Sequence, residues 1–210
     1  MENKTKKNKS IKAWINQHVN DSYVNQAQRD GYRSRAAYKL LEIAQIDDLF
    51  AKVNTVVDLG CAPGSWSQLA LEYVIPHGGS VVGVDLLEIK PISHLKFIQG
   101  DFTEQATLDA LLTAINHQSV DLVISDMAPN LSGIKQVDQC REAYLVELVL
   151  EFCQGYLRQG GNCLIKVFHG SEFDNLVKQA RQLFNQVLIR KPQASRSKSS
   201  ETYLLCKNKK

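Results

Sequence analysis

Asp126 and Lys166 are the residues whose setting points most directly to chemistry. Asp126 opens the stretch Asp126-Met127-Ala128-Pro129-Asn130, directly after an apolar run from Val120 to Ser125 that reads as a buried strand. A second strand-like run, Asn162-Cys163-Leu164-Ile165, ends in Lys166. If the two runs are neighbouring parallel strands, an acid and an amine stand about 5 Å apart in one crevice. An amine held there can accept a proton from a hydroxyl, or stay charged and orient an oxygen as negative charge develops on it. A third run, Val56-Val57-Asp58-Leu59-Gly60-Cys61-Ala62-Pro63-Gly64, gives the crevice a loop whose glycines permit close approach to a ligand. That loop opens a helix near Trp66, so backbone N–H groups point into the crevice. Its glycines are spaced G-x-x-x-G, which is not the dinucleotide fingerprint, and this counts against a nicotinamide cofactor. Asp85 ends the next strand, where an acid bonds ribose hydroxyls. Asp101 follows at another strand end, where a carboxylate can accept from an adenine amine.

These residues need strands to carry them. The pattern predicts strands over 54–59, 80–85, 96–99, 120–125, 162–168, 186–190 and 201–206, and helices over 34–46, 66–74, 104–116, 137–158 and 172–184. Ser34 is the expected N-cap of the first of these helices. A more uneven helical pattern runs from Ser10 to about Ala27. The strand runs are almost continuously Val, Ile and Leu, which marks a parallel sheet covered on both faces. The expected class is therefore α/β, a doubly wound, Rossmann-like, mostly parallel seven-stranded sheet. No long helix separates the last two strands, so the final one is expected to return antiparallel. Residues 1–10 read as a disordered basic tail and residues 11–210 as a single domain.

Charge is distributed unevenly along the chain. Residues 1–39 carry a net charge of +6, residues 186–210 another +6, and residues 40–185 carry −9. Two basic ends around an acidic middle point to a polyanion partner. Arg33, Arg35, Arg196 and Lys198 are the candidate phosphate contacts, since they lie inside folded-looking segments. Five cysteines without a C-x-x-C pair read as reduced thiols, and no secretory or membrane-spanning run is present, so a cytoplasmic protein is expected. The five histidines lack ligand spacing, so no metal is called for, and no nucleophilic serine has a partnered histidine. No exposed apolar stripe announces itself, and a monomer is expected.

Loop, ribose acid, base acid and Asp126-Met127-Ala128-Pro129 in this order resemble the S-adenosylmethionine-dependent methyltransferases. More narrowly, the chain resembles the FtsJ-type ribose 2′-O-methyltransferases. Gly31-Tyr32-Arg33-Ser34-Arg35-Ala36-Ala37-Tyr38-Lys39-Leu40 is similar to that family's N-terminal signature. Asp126 to Gly133 is similar to its acid loop, and Leu164 to Phe168, Lys191 to Arg196 and Ser200 to Tyr203 to its remaining blocks. The resemblance runs from about Trp14 to Cys206, with Cys61 and Ser65 standing where small residues are the family pattern. It implies a catalytic set of Lys39, Asp126, Lys166 and Glu201. It also implies an S-adenosylmethionine site formed by Gly64, Trp66, Asp85, Asp101 and Asp126. The implied substrate is a uridine ribose in 23S ribosomal RNA of the large (50S) subunit. Transfer RNA or a messenger cap would use the same catalytic set. A non-catalytic RNA-binding assembly factor is a third reading, which the intact set argues against.

Overall fold

The structure, a computed structural model, describes residues 21–210 with the exception of Leu131, Ser197 and Lys198. The basic tail, most of the uneven helical pattern that begins at Ser10, and Lys198 therefore lie outside the described residues. The chain enters with α1 (Ser22–Asp30), capped by Asp21 through the Tyr23 N–H and ended by Gly31 in the left-handed region. Next comes α2 (Ala36–Asp47), whose first N–H, that of Ala36, is accepted by the Ser34 hydroxyl at 3.2 Å. The alternating part then runs β1 (Thr55–Leu59), α3 (Ser65–Val74), β2 (Ser80–Asp85), β3 (Leu95–Gln99), α4 (Gln105–Ala114), β4 (Val120–Ser125) and α5 (Lys135–Tyr156). It closes with β5 (Leu157–Phe168), α6 (Phe173–Leu183), β6 (Phe184–Arg190) and β7 (Glu201–Lys209).

The strands form one seven-stranded sheet in the order β3-β2-β1-β4-β5-β7-β6. All neighbours are parallel except at β7, which inserts antiparallel between β5 and β6. The expected class and the antiparallel return of the last strand are both present.

The apolar runs lack alternation in sequence because both faces of the sheet are covered. Val57, Leu59, Val123, Ile165 and Val167 pack on the α4–α5–α6 side. Their neighbours Val56, Leu122, Ile124 and Leu164 pack on the α2–α3 side. Two strands run further than their apolar cores indicate. β5 starts at Leu157 directly after α5, because Arg158 is held by Asp121 and the Lys209 amine bonds the Leu157 carbonyl at 2.6 Å. β7 extends to Lys209 because β6 supplies partners as far as Phe184. Order reverses between β1 and β4, so the loops at their carboxyl ends diverge and leave a crevice. No described helix is long and apolar enough to cross a membrane.

Candidate active site

β4 and β5 are in register with Ser125 opposite Ile165, so the next residues, Asp126 and Lys166, meet at the rim. The Lys166 Nζ lies 3.1 Å from Asp126 Oδ1 and also donates to the Asp126 main-chain carbonyl. From the other side β7 brings Tyr203 opposite Lys166 and Glu201 opposite Phe168. The Tyr203 hydroxyl donates to the same Asp126 Oδ1 at 3.0 Å. Burial, followed by the charges of Asp126 and Glu201, holds that phenol protonated well above its ordinary range.

Lys39 arrives from the first turn of α2 and places its Nζ 2.7 Å from Glu201 Oε1. Burial alone would raise the Glu201 carboxyl; the bond from Lys39, with the charges of Lys39 and Lys166, reverses this and holds it below the usual range. The four residues expected to act together are thus gathered as two ion pairs, with the Tyr203 ring between them and 5.9 Å from the Lys39 Nζ. Tyr203 is not among the residues expected from the sequence to form the site. Its bond to Asp126 was readable only as a parity signal, two residues past Glu201 on an antiparallel strand.

Beside Asp126 opens a cleft of about 620 Å³ at the carboxyl ends of β1, β2, β3 and β4. Asp85, Asp101 and Asp126 line it together with Gly60, Ala62 and Met127. Asp85 is fixed by two backbone donors, Ala62 N–H to Oδ2 and Leu87 N–H to Oδ1, each at 2.8 Å. Asp101 uses Oδ1 alone for the Thr103 N–H and hydroxyl, so Oδ2 has no partner among the described residues.

Gly60, at φ 75°, makes room for the acid loop: a Cβ there would lie 2.5 Å from Met127 Cγ and 2.9 Å from its Cα. Gly60→Ala is therefore expected to destabilise the fold by roughly 2–4 kcal/mol through strain and overlap. Chemical denaturation measures this, and an unchanged midpoint would show that the Met127 loop yields freely.

Gly64 and Trp66 do not line the cleft. Gly64 precedes α3 at φ 109°, where a Cβ would meet Ile92 Cδ1 at 2.5 Å. Trp66 is buried, donates its indole N–H to the Ala36 carbonyl at 2.8 Å and packs its ring 5.6 Å from that of Tyr203. Trp66 thus holds α3 against α2 and supports the rim from behind. Below the loop, Asp58 is fully buried; Oδ2 accepts from the Ser67 hydroxyl at 2.6 Å and Oδ1 has no partner among the described residues. Burial pushes its carboxyl up to about 7, against the pull of the Ser67 bond.

Two of the expected phosphate contacts have internal duties. Arg33 donates to the carbonyls of Pro63, Lys90 and Pro91 at 2.9, 2.7 and 2.8 Å. Arg35 pairs with Asp21 and donates to the Ala194 carbonyl. The Arg196 guanidinium has no hydrogen bond or ion pair among the described residues, and its charge lies close enough to lower the Arg35 pKa, secondary to burial. Arg33→Ala is therefore expected to lower stability by roughly 1–2 kcal/mol while leaving unchanged the salt dependence of binding to a polyanion such as RNA. Arg196→Ala is expected to reduce that slope by about one unit. Filter binding across a salt series separates the two, and equal slopes for both variants would refute the distinction. No group of three or more His, Cys, Asp or Glu is placed to hold a metal among the described residues.

Comparison with known proteins places this geometry in a family. The model of the FtsJ-like methyltransferases matches residues 32–209. A protein of Methylobacillus flagellatus named ribosomal RNA large subunit methyltransferase E is 56% identical over 95% of this chain and 96% of its own. One of the same name from Nitrosospira multiformis is 54% identical over 95% and 97%. A crystal structure described as a ribosomal RNA methyltransferase of Plasmodium falciparum superposes with a TM-score of 0.74. It is 32% identical, over 85% of this chain and 98% of that one. With the paired Lys166 and Asp126 bordering a cleft at the sheet's switch point, and a family match across most of its length, the chain belongs to the FtsJ-like methyltransferases.

Proposed function

We propose that this chain transfers a methyl group from S-adenosylmethionine to the ribose 2′-hydroxyl of a uridine in 23S ribosomal RNA of the large (50S) subunit, as a cytoplasmic monomer. The observation that carries this reading is the Lys166 amine, fixed by Asp126 beside the cleft, in a chain whose relatives are named for methylation of large-subunit ribosomal RNA. The residues of the cleft suit the cofactor. Asp85, steadied by two backbone donors, is set to accept from ribose hydroxyls, and the unpartnered Oδ2 of Asp101 suits an adenine amine. Bound there, S-adenosylmethionine supplies an electrophilic methyl on a positively charged sulfur.

The chain's own contribution is orientation and charge. A lysine ammonium has three N–H bonds. Asp126 takes two through its carbonyl and Oδ1, which leaves one direction for the 2′-oxygen. Lys166 thereby orients the 2′-oxygen toward the donor; a neutral amine takes the hydroxyl proton itself, and a charged one stabilises the growing negative charge while that proton passes to water. Tyr203, by bonding the same Oδ1, keeps Asp126 from rotating away. The Lys39–Glu201 pair fastens α2 to the start of β7 and sets the rim on which the ribose rests. Among the described residues, Arg196 offers its charge to a neighbouring phosphate.

The test is transfer of labelled methyl to large ribosomal subunits from a strain lacking this gene, followed by nucleoside analysis. A single 2′-O-methyluridine is expected. Label on transfer RNA or capped transcripts instead would change the substrate and keep the chemistry. No label anywhere, with tight RNA binding, would favour a non-catalytic role.

A further inference from the structure

A second, narrower pocket opens beside Lys166 between the ends of β4 and β5 and the helices α5 and α6. It shares Met127 and Pro129 with the cofactor cleft, so the two cavities meet along the acid loop. Its volume is about 20 Å³, room for about one water molecule. Phe168 and Phe173 give it aromatic walls, and the Phe168 ring lies 5.9 Å from the Lys166 amine. The Phe173 ring, at the start of α6, stacks on His169 at 4.3 Å across the short segment after β5. Two polar side chains of α5 line the pocket, Gln139 and Glu142, each half-buried. Neither has a side-chain hydrogen bond or ion pair among the described residues, and the Gln139 amide lies where a Cβ on Gly170 would stand 2.6 Å from its Nε2. Burial, and then the charge of Asp138, raises the Glu142 carboxyl, while Lys166 opposes the rise. A half-buried carboxylate and amide with no partner among the described residues are reached by solvent and are open to an external partner.

We propose that this pocket widens to receive the base of the nucleotide being methylated, and that Glu142 and Gln139 read its edge and favour uracil. The inference rests on the reading of the Lys166 site as a ribose methylation site. The base is joined to the carbon next to the one that bears the 2′-oxygen. An oxygen seated on Lys166 therefore puts the base one sugar bond away, and the cofactor cleft occupies the other side. Uracil presents an N–H between two carbonyls. The Glu142 carboxylate accepts that N–H, and the Gln139 amide donates to a flanking carbonyl. Cytosine presents a lone pair at the same ring position, which a carboxylate repels. Phe168 and Phe173 supply the stacking faces that an unstacked base needs. Gln139 and Glu142 touch the base and not the reacting atoms, so they determine specificity and are not catalytic residues.

The experiment compares single-turnover methylation of large subunits carrying uridine or cytidine at the methylated position. It uses the wild-type chain and the variants Glu142→Gln and Gln139→Leu. The wild type is expected to favour uridine by roughly 10- to 100-fold, the range of one well-made base-edge contact. Glu142→Gln, whose amide serves either base, is expected to shrink the preference to within about threefold, with cofactor affinity and Tm unchanged. Gln139→Leu is expected to lower the uridine rate more than the cytidine rate. Equal wild-type rates on the two substrates, or a variant that slows both equally, would overturn the assignment of this pocket and leave the methylation reading standing. If label appears on another RNA, the same uridine-to-cytidine comparison is made there with the same criteria. Absence of label on any RNA would overturn both.

Discussion

Replacing Lys166 with alanine is expected to lower the single-turnover rate by roughly 10²–10³-fold or more, the range for loss of one preorganised donor to a developing oxyanion. Cofactor affinity is expected to stay within about twofold, because Lys166 does not line the cofactor cleft and Asp126 keeps the Tyr203 hydroxyl on Oδ1. Calorimetry with S-adenosylmethionine beside quench-flow methylation makes both measurements on one preparation. A rate that survives the substitution removes Lys166 from the mechanism. A parallel loss of cofactor affinity would mean that the amine shapes the cleft and not the reaction. Lys166→Arg divides the two chemical roles. Arginine cannot serve as a neutral base, so appreciable residual activity points to a charged orienting group, and none points to proton transfer. Tyr203→Phe removes one donor from Asp126 and is expected to cost less, about tenfold.

Asp58→Asn is expected to stabilise the fold at pH 8 and to flatten its dependence on pH. The carboxyl is raised to about 7 in the folded chain by burial, whereas the unfolded chain releases the proton near the ordinary aspartate value of about 3.9. Between those values the folded state binds the proton that the unfolded state has lost. Stability therefore falls as pH rises from about 4 to about 7 and is level above that. The full penalty at pH 8 is about 4 kcal/mol for Asp58 alone. Asparagine avoids it, and its amide oxygen still accepts from Ser67. Its buried NH₂, in the place of the unpartnered Oδ1, costs about 1–3 kcal/mol in return. The expected net gain is thus a few kcal/mol at most at pH 8 and vanishes near pH 5. Urea titrations of both proteins from pH 5 to pH 8 give the difference curve; parallel curves would show that Asp58 stays ionised through some contact the geometry does not contain. Glu201 and Asp121, both held below the usual range, titrate under this window and do not confuse it.

The properties carried by short segments were legible in the sequence alone. Strand runs covered on both faces appear as unbroken Val, Ile and Leu. A strand's last residue is set by where its apolar run stops, so Asp85 and Asp126 could be assigned to one rim before any coordinates. The antiparallel return of β7 followed from the missing crossover helix. Partners and directions of side chains were decided only by tertiary structure. Tyr203 reaches Asp126 across 77 residues, and nothing local distinguishes its hydroxyl from that of a packed core tyrosine. Arg33 looked like a phosphate ligand because charge counts record where cations lie along the chain and not where they point. Its acceptors, the Lys90 and Pro91 carbonyls, are 57 and 58 residues away and come within reach only when the loop after β2 folds back. Trp66 sits beside the glycine loop in sequence yet faces α2, because the helix that starts there turns it away from the cleft, and Gly64 is crowded by Ile92 and Arg33. Backbone periodicity is a local property and survives in one dimension. The pairing of long side chains depends on sheet order and register, which exist only once the strands are side by side.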